Sequence, residues 1–357
     1  MEKAFLLLIG TLVLTCAYMV STQSCYAGDY GPTDAQAKFT VRVVDEVGQP
    51  VEGAKVWARF NLTLQGKFKV DEKLTNATGE AVVSGRCDLS TLFAITKDGY
   101  YETSHVVEYR VQRDEIKDDK WQPYGSVVQY TLKKIHKPIP MTLVARFPFR
   151  VPNADQAFGY DMEAGALVEP YGKGKVADFY IKYTFTEEDG VLWKTMTLSF
   201  PNCLDGAYLF DRDTYSFFQS PYHADINGEY LKSITLKCTA NFKWKEDART
   251  GKRYRVSAGG ESVCDEKITQ DQGLVLRTRT KVDAEGNLIS AHYGKIYGEI
   301  GLHNGLLREE LKCDDGNAKL FFNPAENDTN LEYDCEEYRH YLEERRRGIN
   351  WGGTFSL

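Results

Sequence analysis

Histidine is scarce in this chain of 357 residues, and its positions are informative. The six histidines are His105, His136, His223, His292, His303 and His340. No two of them have the i, i+4 spacing with which a helix presents two imidazoles to zinc. The sequence therefore gives no support to metallohydrolase chemistry, and we expect neither a metal nor a cofactor.

A recognisable nucleophile motif is also missing. The chain contains no G-x-S-x-G sequence, which in α/β-hydrolases exposes a serine on a sharp strand-to-helix turn. The sequence "GKGK" at 172–175 is not followed by Ser or Thr, so it does not predict a phosphate-binding loop. These absences favour a non-enzymatic protein. A pair of catalytic carboxylates in the acid-rich second half stays open as an alternative.

The chain lacks an overall basic character. Residues 28–146 carry 17 Lys and Arg against 16 Asp and Glu, and residues 147–357 carry 26 against 34, a net charge of −8 for the second half. Nucleic acid presents a phosphate backbone that requires a basic protein surface. We therefore expect no nucleic-acid partner.

Cysteine pairs with the C-x-x-C spacing are absent, which argues against a redox motif or a zinc ribbon. Beyond residue 27 the cysteines are Cys87, Cys203, Cys238, Cys264, Cys313 and Cys335. Their even number predicts disulfides if the chain reaches an oxidising compartment, with the pairing left open. We favour two bridges within the second half and two remaining thiols.

Only the first residues contain a long apolar run. Lys3 precedes the apolar run Ala4–Val20, and a polar segment with small residues ends at Ala27. This is the pattern of a cleaved secretory signal peptide over residues 1–27. It predicts export to the periplasm, the outer surface or the medium. The alternatives are a retained signal anchor and a lipid anchor at Cys16.

What the sequence has in abundance is alternation of apolar and polar residues. Segments such as "FTVRVVD" and "HVVEYRV" have a period of two and are separated by turn residues, which is typical of short strands. The pattern predicts a mainly β protein, with an Ig-like or prealbumin-like antiparallel sandwich over residues 28–137. Four prolines predict a linker over residues 138–152, because proline cannot donate to a strand ladder. Residues 153–357 form a second β-rich domain.

Two elements of the second domain have clear signals. A hairpin is predicted from Leu274–Val282 to Leu288–Ile300, joined by "DAEGN" with Gly286 in the turn. The segment "DCEEYRHYLEERRRG" predicts a C-terminal helix over about 335–347, with Asp334 as its cap.

Three ordered segments of the first domain carry a family resemblance: "VDEVGQPVEGAKV", "TNATGEAVV" and "FAITKDGYYE". Residues 38–135 resemble the carboxypeptidase regulatory-like domain, a prealbumin-type β-sandwich of exported bacterial proteins. The resemblance implies an accessory domain with no catalytic residues to transfer. Asn76 stands where the family usually has aspartate, and both residues accept turn geometry. The remainder resembles uncharacterised exported bacterial proteins, which implies a location but no activity.

The segment 208–230 is the predicted ligand-binding site. Its candidate residues are Arg212, Asp213, Tyr215, Phe217, Phe218 and Tyr222. Flat rings beside hydrogen-bonding groups suit sugar faces and protein interfaces. The alternative is that these rings fill the core of the domain.

Three hypotheses for function follow. The first is an exported non-enzymatic protein that binds carbohydrate or another protein of the cell envelope. The second is an extracellular polysaccharide hydrolase with its site in the second domain, and the third is a structural or assembly subunit.

Overall fold

A computed structural model describes residues 34–62, 65–88, 90–109, 116–144, 151–213, 215–258, 263–266, 268–269, 271–297 and 318–334. The chain divides into two compact units, Met1–Lys133 and Lys134–Leu357. The predicted signal peptide, Cys313, Cys335 and the predicted helix lie outside the described residues. Within the described part, no helix combines the length and apolarity needed to cross a membrane.

The first unit is built from strands in two sheets. The strands are β1 (Ala35–Asp45), β2 (Lys55–Leu62), β3 (Lys67–Leu74), β4 (Glu80–Cys87), β5 (Ser90–Thr96), β6 (Thr103–Glu108), β7 (Ile116–Lys117), β8 (Lys120–Trp121) and β9 (Ser126–Leu132). One sheet has the order β4-β1-β8-β7 with β9 also paired to β1, and the other has the order β3-β2-β5-β6. Most neighbours are antiparallel, but β8 and β9 run parallel to β1.

The core of the first unit follows from the period of two. Strand β1 buries every second residue from Ala35 to Val43, and these side chains meet those of the other sheet in one cluster. At its centre the rings of Phe39 and Phe93 pack edge to face with their centroids 5.1 Å apart. The predicted β-sandwich is confirmed.

The stretch 44–56 forms the turn between β1 and β2. The Oδ1 atom of Asp45 accepts hydrogen bonds from the backbone N–H groups of Val47 (3.0 Å) and Gln49 (2.8 Å). Gly48 has a φ of +79°, which glycine adopts without steric cost. The acid of this stretch therefore closes a turn.

Two residues of the next motif pack against that turn. Thr75 is 4% exposed; its hydroxyl donates to the carbonyl of Val51 (2.6 Å) and accepts from the N–H of Ala54 (2.8 Å). Gly79 has a φ of +73°, and a Cβ there would collide with the carbonyl oxygen of Val43. The first two segments of the resemblance thus form one contact network.

The second unit also consists of strands in two sheets. Its strands are β10 (Thr142–Val144), β11 (Ala157–Asp161), β12 (Ala166–Leu167), β13 (Phe179–Glu188), β14 (Val191–Ser199), β15 (Gly206–Asp211), β16 (Ser233–Glu246), β17 (Arg253–Ser257), β18 (Val263–Glu266), β19 (Gln272–Val282), β20 (Leu288–Tyr297) and β21 (Lys319–Asn323). The five-stranded sheet has the order β10-β21-β20-β19-β15. The seven-stranded sheet has the order β12-β11-β13-β14-β16-β17, with β18 paired to β16.

The central strands of the five-stranded sheet are buried on both faces. One face packs on the seven-stranded sheet through a large apolar cluster that includes Phe179, Met196 and Leu276. Residues on the opposite face, such as Val275 and Phe321, belong to a second cluster. Gly273–Leu276 of β19 are apolar on both faces for this reason, and the strand lacks the simple alternation of the first unit.

The predicted hairpin is present, since β19 pairs with β20 and Gly286 has a φ of +87° in the turn. The predicted linker behaves differently over its described part. Thr142–Val144 form β10, which pairs with β21, and Met141 is buried. Pro138 and Pro140 precede this short strand rather than interrupt it, so the ladder loses no donor. Thr142–Val144 therefore belong to a sheet of the second unit, and Ile139 forms an isolated bridge with Tyr333.

One disulfide is present in the described residues. It joins Cys238 on β16 to Cys264 on β18, which face each other across the strand pair. Cys87 is a buried free thiol and Cys203 an exposed one. Burial raises the pKa of the Cys87 thiol to about 11, so this cysteine is held in its unreactive form.

Candidate functional site

The polar residues of the predicted ligand segment shape the loop that follows β15. The guanidinium of Arg212 donates to Oε1 of Gln219 at 3.0 and 2.5 Å. The Oδ1 atom of Asp213 accepts from the backbone N–H groups of Tyr215 (3.1 Å) and Ser216 (3.0 Å). The structure thus brings both predicted polar residues into hydrogen bonds that define the loop.

The four predicted rings have different environments. Phe218 is 2% exposed, and its ring centroid lies 4.8 Å from that of Tyr222. The hydroxyl of Tyr222 donates to the carbonyl of Lys134 (2.7 Å). Phe217 is half-buried, whereas Tyr215 is 41% exposed. Phe218 and Tyr222 are therefore in contact, and Tyr215 is the most exposed of the four.

Lys295 explains why Phe218 is buried. Its side chain has no exposed surface, and Nζ donates to Oγ of Ser220 (2.9 Å) and to the carbonyl of Leu331 (2.7 Å). Three ring centroids lie 4.6 to 5.1 Å from Nζ, those of Phe218, Phe321 and Tyr297. Aromatic faces stabilise a cation that is shielded from water. Lys295 lies on β20 and thereby links the loop after β15 to the five-stranded sheet.

A second group of charges lies at a bulge in β19. Arg279 has a φ of +54°, and its guanidinium holds Asp178 through two nitrogens at 2.9 and 3.1 Å. The same guanidinium donates to Asp161 (3.2 Å) and to Glu163 (2.6 Å). The side chain of Asp178 is fully buried, and that of Arg279 is 17% exposed.

The carboxylates of this group, those of Asp161, Glu163 and Asp178, all accept hydrogen bonds. Desolvation raises the pKa of Asp178, although Arg279 opposes the shift. Desolvation also acts on Asp161, but backbone N–H donors at Ala164, Lys175 and Val176 keep the pKa of that carboxyl below its usual value. Such saturated carboxylates suit structural ion pairs better than proton transfer. Among the described residues, no group of His, Cys, Asp or Glu side chains could hold a metal ion.

A further surface feature is the side of the seven-stranded sheet that faces away from the core. Its outward side chains on β13, β14 and β16 are half-buried or exposed, and we call this surface the outer face. Up to Asn241 they are Tyr180, Lys182, Thr184, Thr186, Glu188, Val191, Trp193, Thr195, Thr197, Ser199, Ser233, Thr235, Lys237, Thr239 and Asn241. The strand register arranges them in rows across the sheet. Eight of the fifteen are Ser or Thr, so the surface is rich in hydroxyl groups.

Two aromatic rings lie on the outer face. Trp193 and Tyr180 are each 36% exposed, and Nζ of Lys237 lies 4.7 Å from the centroid of the Trp193 ring. Tyr180 is paired with Ser199, six residues along β14 from Trp193. At about 3.4 Å per residue, the two rings are roughly 20 Å apart. This length suits an extended ligand, with flat rings for stacking and hydroxyl groups for hydrogen bonds.

The sequence contained a signal for these two rings. In "FYIKYTF", Phe179, Ile181 and Tyr183 point into the core. Tyr180 falls in the opposite set with Lys182, so alternation alone marks it as outward-facing. Trp193 is marked in the same way on β14. An aromatic residue at an outward-facing position of a strand therefore indicates a candidate functional surface. The sequence prediction relied instead on the density of aromatic residues in 208–230.

Comparisons with known proteins leave the function open. No protein-family model matches the chain, and no curated protein is similar to it. A 3-chlorocatechol 1,2-dioxygenase from Rhodococcus opacus is 12% identical over 30% of this chain and 62% of its own, with a TM-score of 0.23. A DUF3823 family protein from Parabacteroides merdae is 8% identical over 68% and 90%, with a TM-score of 0.18. A streptococcal ancillary pilin is 12% identical over 76% and 60%, with a TM-score of 0.20.

These similarities are too weak to assign a family or an activity. The chain spans less than two thirds of the length of the first of these structures. The structure itself shows a mainly β chain whose sheets are mostly antiparallel, with a sandwich in the first unit.

Proposed function

We propose that this chain is an exported, non-enzymatic binding protein and that the outer face of its second unit binds carbohydrate. The observation that carries the proposal is the combination of Trp193 and Tyr180 with rows of Ser and Thr on one sheet surface. Sugar rings have apolar faces that stack on aromatic side chains and hydroxyl groups that pair with polar ones. An extended sheet surface provides both kinds of contact to several sugar units at once.

The first unit has an accessory role in this proposal. The carboxypeptidase regulatory-like assignment is supported by the turn at Gly48, the buried Thr75 and the crowded Gly79, which are residues of the motifs that suggested it. For the segment 212–222 we infer a supporting role. Its polar residues bond within the loop, and Phe218 packs against Lys295.

The proposal can be tested on a glycan array that displays neutral and acidic oligosaccharides of bacterial and plant origin. The full chain should bind a subset of them. Trp193→Ala and Tyr180→Ala should each weaken binding to that subset by about tenfold, since loss of a stacked ring costs roughly 1–3 kcal/mol. The readout is the dissociation constant for the best ligands, measured in solution.

Tyr124→Ala is the matched control. Tyr124 lies in the first unit, is 39% exposed and has Nζ of Lys120 5.2 Å from its ring centroid, so its environment resembles that of the outer-face rings. This variant should leave binding unchanged. The proposal fails if no glycan binds, or if the outer-face variants bind as well as the Tyr124 variant.

A further inference from the structure

A basic hairpin extends the outer face beyond the edge of the sheet. Strand β16 continues past Asn241 and pairs there with β17, forming a two-stranded ribbon of residues 242–246 and 253–257. Between 243 and 255 the chain carries six basic residues against two acidic ones, a net charge of +4. The basic residues are Lys243, Lys245, Arg249, Lys252, Arg253 and Arg255. The second half of the chain as a whole is acidic, so this concentration of positive charge is local.

The two sides of the hairpin differ. On one side Trp244 contacts two guanidinium groups, those of Arg253 and Arg255, at 4.8 and 5.0 Å from its ring centroid. Arg255 also forms an ion pair with Glu187 on β13. These contacts hold the ribbon in place beside the sheet.

The other side continues the outer face. Because side chains alternate along β16, Lys243 and Lys245 point the same way as Lys237. Both are exposed, and Tyr254, which is 47% exposed, is paired with Lys245. From Lys237 to Lys245 this row of lysines spans roughly 27 Å at about 3.4 Å per residue.

We propose that the carbohydrate bound by the outer face is an acidic polysaccharide, and that Lys243 and Lys245 contact its negative groups. This inference rests on the function proposed above. A sugar stacked on Trp193 would place a carboxylate or sulfate within reach of Lys237, and the next negative groups along the chain would meet Lys243 and Lys245. A line of cations on one strand complements a line of anions on one polymer.

An anionic membrane is the competing partner for a basic surface. Peripheral membrane binding combines cations with apolar side chains that enter the interface. Beside the lysine row the outward residues include Trp193, Val263 and Tyr254. The rest of the outer face, at the outward positions of 195–199 and 233–239, presents only Ser, Thr and one Lys, which gain nothing from the acyl region. The observations therefore favour a hydrated, linear polyanion.

The test compares polygalacturonate, chondroitin sulfate and a neutral β-glucan as ligands of the full chain, together with vesicles containing phosphatidylglycerol. Binding is measured by calorimetry and by sedimentation at about 50 and 200 mM salt. The variant Lys243→Gln/Lys245→Gln removes two exposed charges. Its control is Lys67→Gln/Lys69→Gln, which removes two exposed lysines with the same spacing from β3 in the first unit.

We expect an acidic polymer to bind more tightly than the neutral glucan, and binding to weaken at least fivefold at the higher salt concentration. The hairpin variant should lose at least fivefold in affinity for that polymer, and the β3 variant should match the parent. Equal binding of neutral and acidic polymers, or an unaffected hairpin variant, overturns the inference. If Trp193→Ala still abolishes neutral-glucan binding, the proposed function survives that failure. Binding to vesicles without binding to any of the three polysaccharides overturns both.

Discussion

The two units have similar strands but differ in how many ionisable side chains their interiors contain. Among the described residues, the first unit buries a single ionisable side chain other than cysteine and tyrosine, that of Asp88. The second unit buries seven, namely Asp161, Asp178, Lys194, Asp205, Arg277, Lys295 and Glu332. The first unit is therefore a sandwich held by apolar packing, whereas charged residues inside the second unit determine how its loops attach.

The reason lies in the lengths of the connections. Turns in the first unit, such as 46–54 between β1 and β2, close through one carboxylate and a few backbone groups. The second unit has to fix the longer loop from Arg212 to Lys232 onto a sheet. A buried cation such as Lys295 fixes its partners' positions, because leaving any of them unpaired is costly. Specific placement of loops is thus the contribution that buried charge makes here.

The largest expected effect comes from breaking the Arg279 group. Arg279→Met leaves the buried Asp178 carboxylate without its counter-ion, which should lower the free energy of unfolding of the second unit by about 3–5 kcal/mol. The measurement is urea denaturation followed by tryptophan fluorescence. Arg42→Met in the first unit is the control: its pair with Glu80 is partly exposed at 47% and 29%, so the change should be below about 1 kcal/mol. Equal losses in the free energy of unfolding for the two variants would contradict the difference that we draw between the units.

The first unit should instead be sensitive to backbone shape. Gly79→Ala combines a positive φ with a collision at the carbonyl of Val43, so we expect a loss of about 3 kcal/mol. Gly48→Ala has a similar φ of +79° but no atom within 4 Å of the new Cβ, and should cost only about 1 kcal/mol. Thermal unfolding of both variants gives the comparison. Similar losses of stability in the two variants would show that the close contact between position 79 and the carbonyl of Val43 adds nothing to the cost of the positive φ.

The smallest effect concerns pH and involves one histidine in each unit. Desolvation lowers the pKa of His105 below its ordinary value of 6.5, and desolvation together with Arg279 lowers that of His292. The unfolded chain then binds more protons than the folded one as the pH falls below about 7. Stability should therefore decline on acidification until each folded-state pKa is reached.

Denaturation at pH 7 and pH 5 tests this expectation. His105→Gln and His292→Gln should each lose less stability between these two pH values than the parent does. His223→Gln, at an exposed position, serves as the control. If each histidine variant loses as much stability as the parent between pH 7 and pH 5, the assigned direction of both shifts is contradicted.

The first unit was predictable from the sequence because its strands bury one face each. Alternation from Phe39 onwards located the strands, and Asp45, Gly48 and Pro50 located the first turn. The second unit was less predictable. The first part of β19 is apolar on both faces. Nothing in the local pattern of the strand indicates that Arg279 meets Asp178, about a hundred positions earlier in the chain.

The candidate site shows the same difference between what local sequence indicates and what strand register decides. Local density of aromatic residues pointed to 212–222, where the fold uses Phe218 to enclose Lys295. The outer face depends on register between β13, β14 and β16, which a linear pattern does not contain. Alternation within each strand could nonetheless have marked Tyr180 and Trp193 as outward-facing.

By itself the sequence determined the β class, the first turn and the main hairpin, since these depend on the period of side chains and on glycine conformation within a few residues. Tertiary structure alone decided which cysteines pair, where the linker segment goes and which lysines form one row. Those outcomes depend on strands that are distant in the chain and adjacent in the sheet, and their register is set by packing of the whole unit.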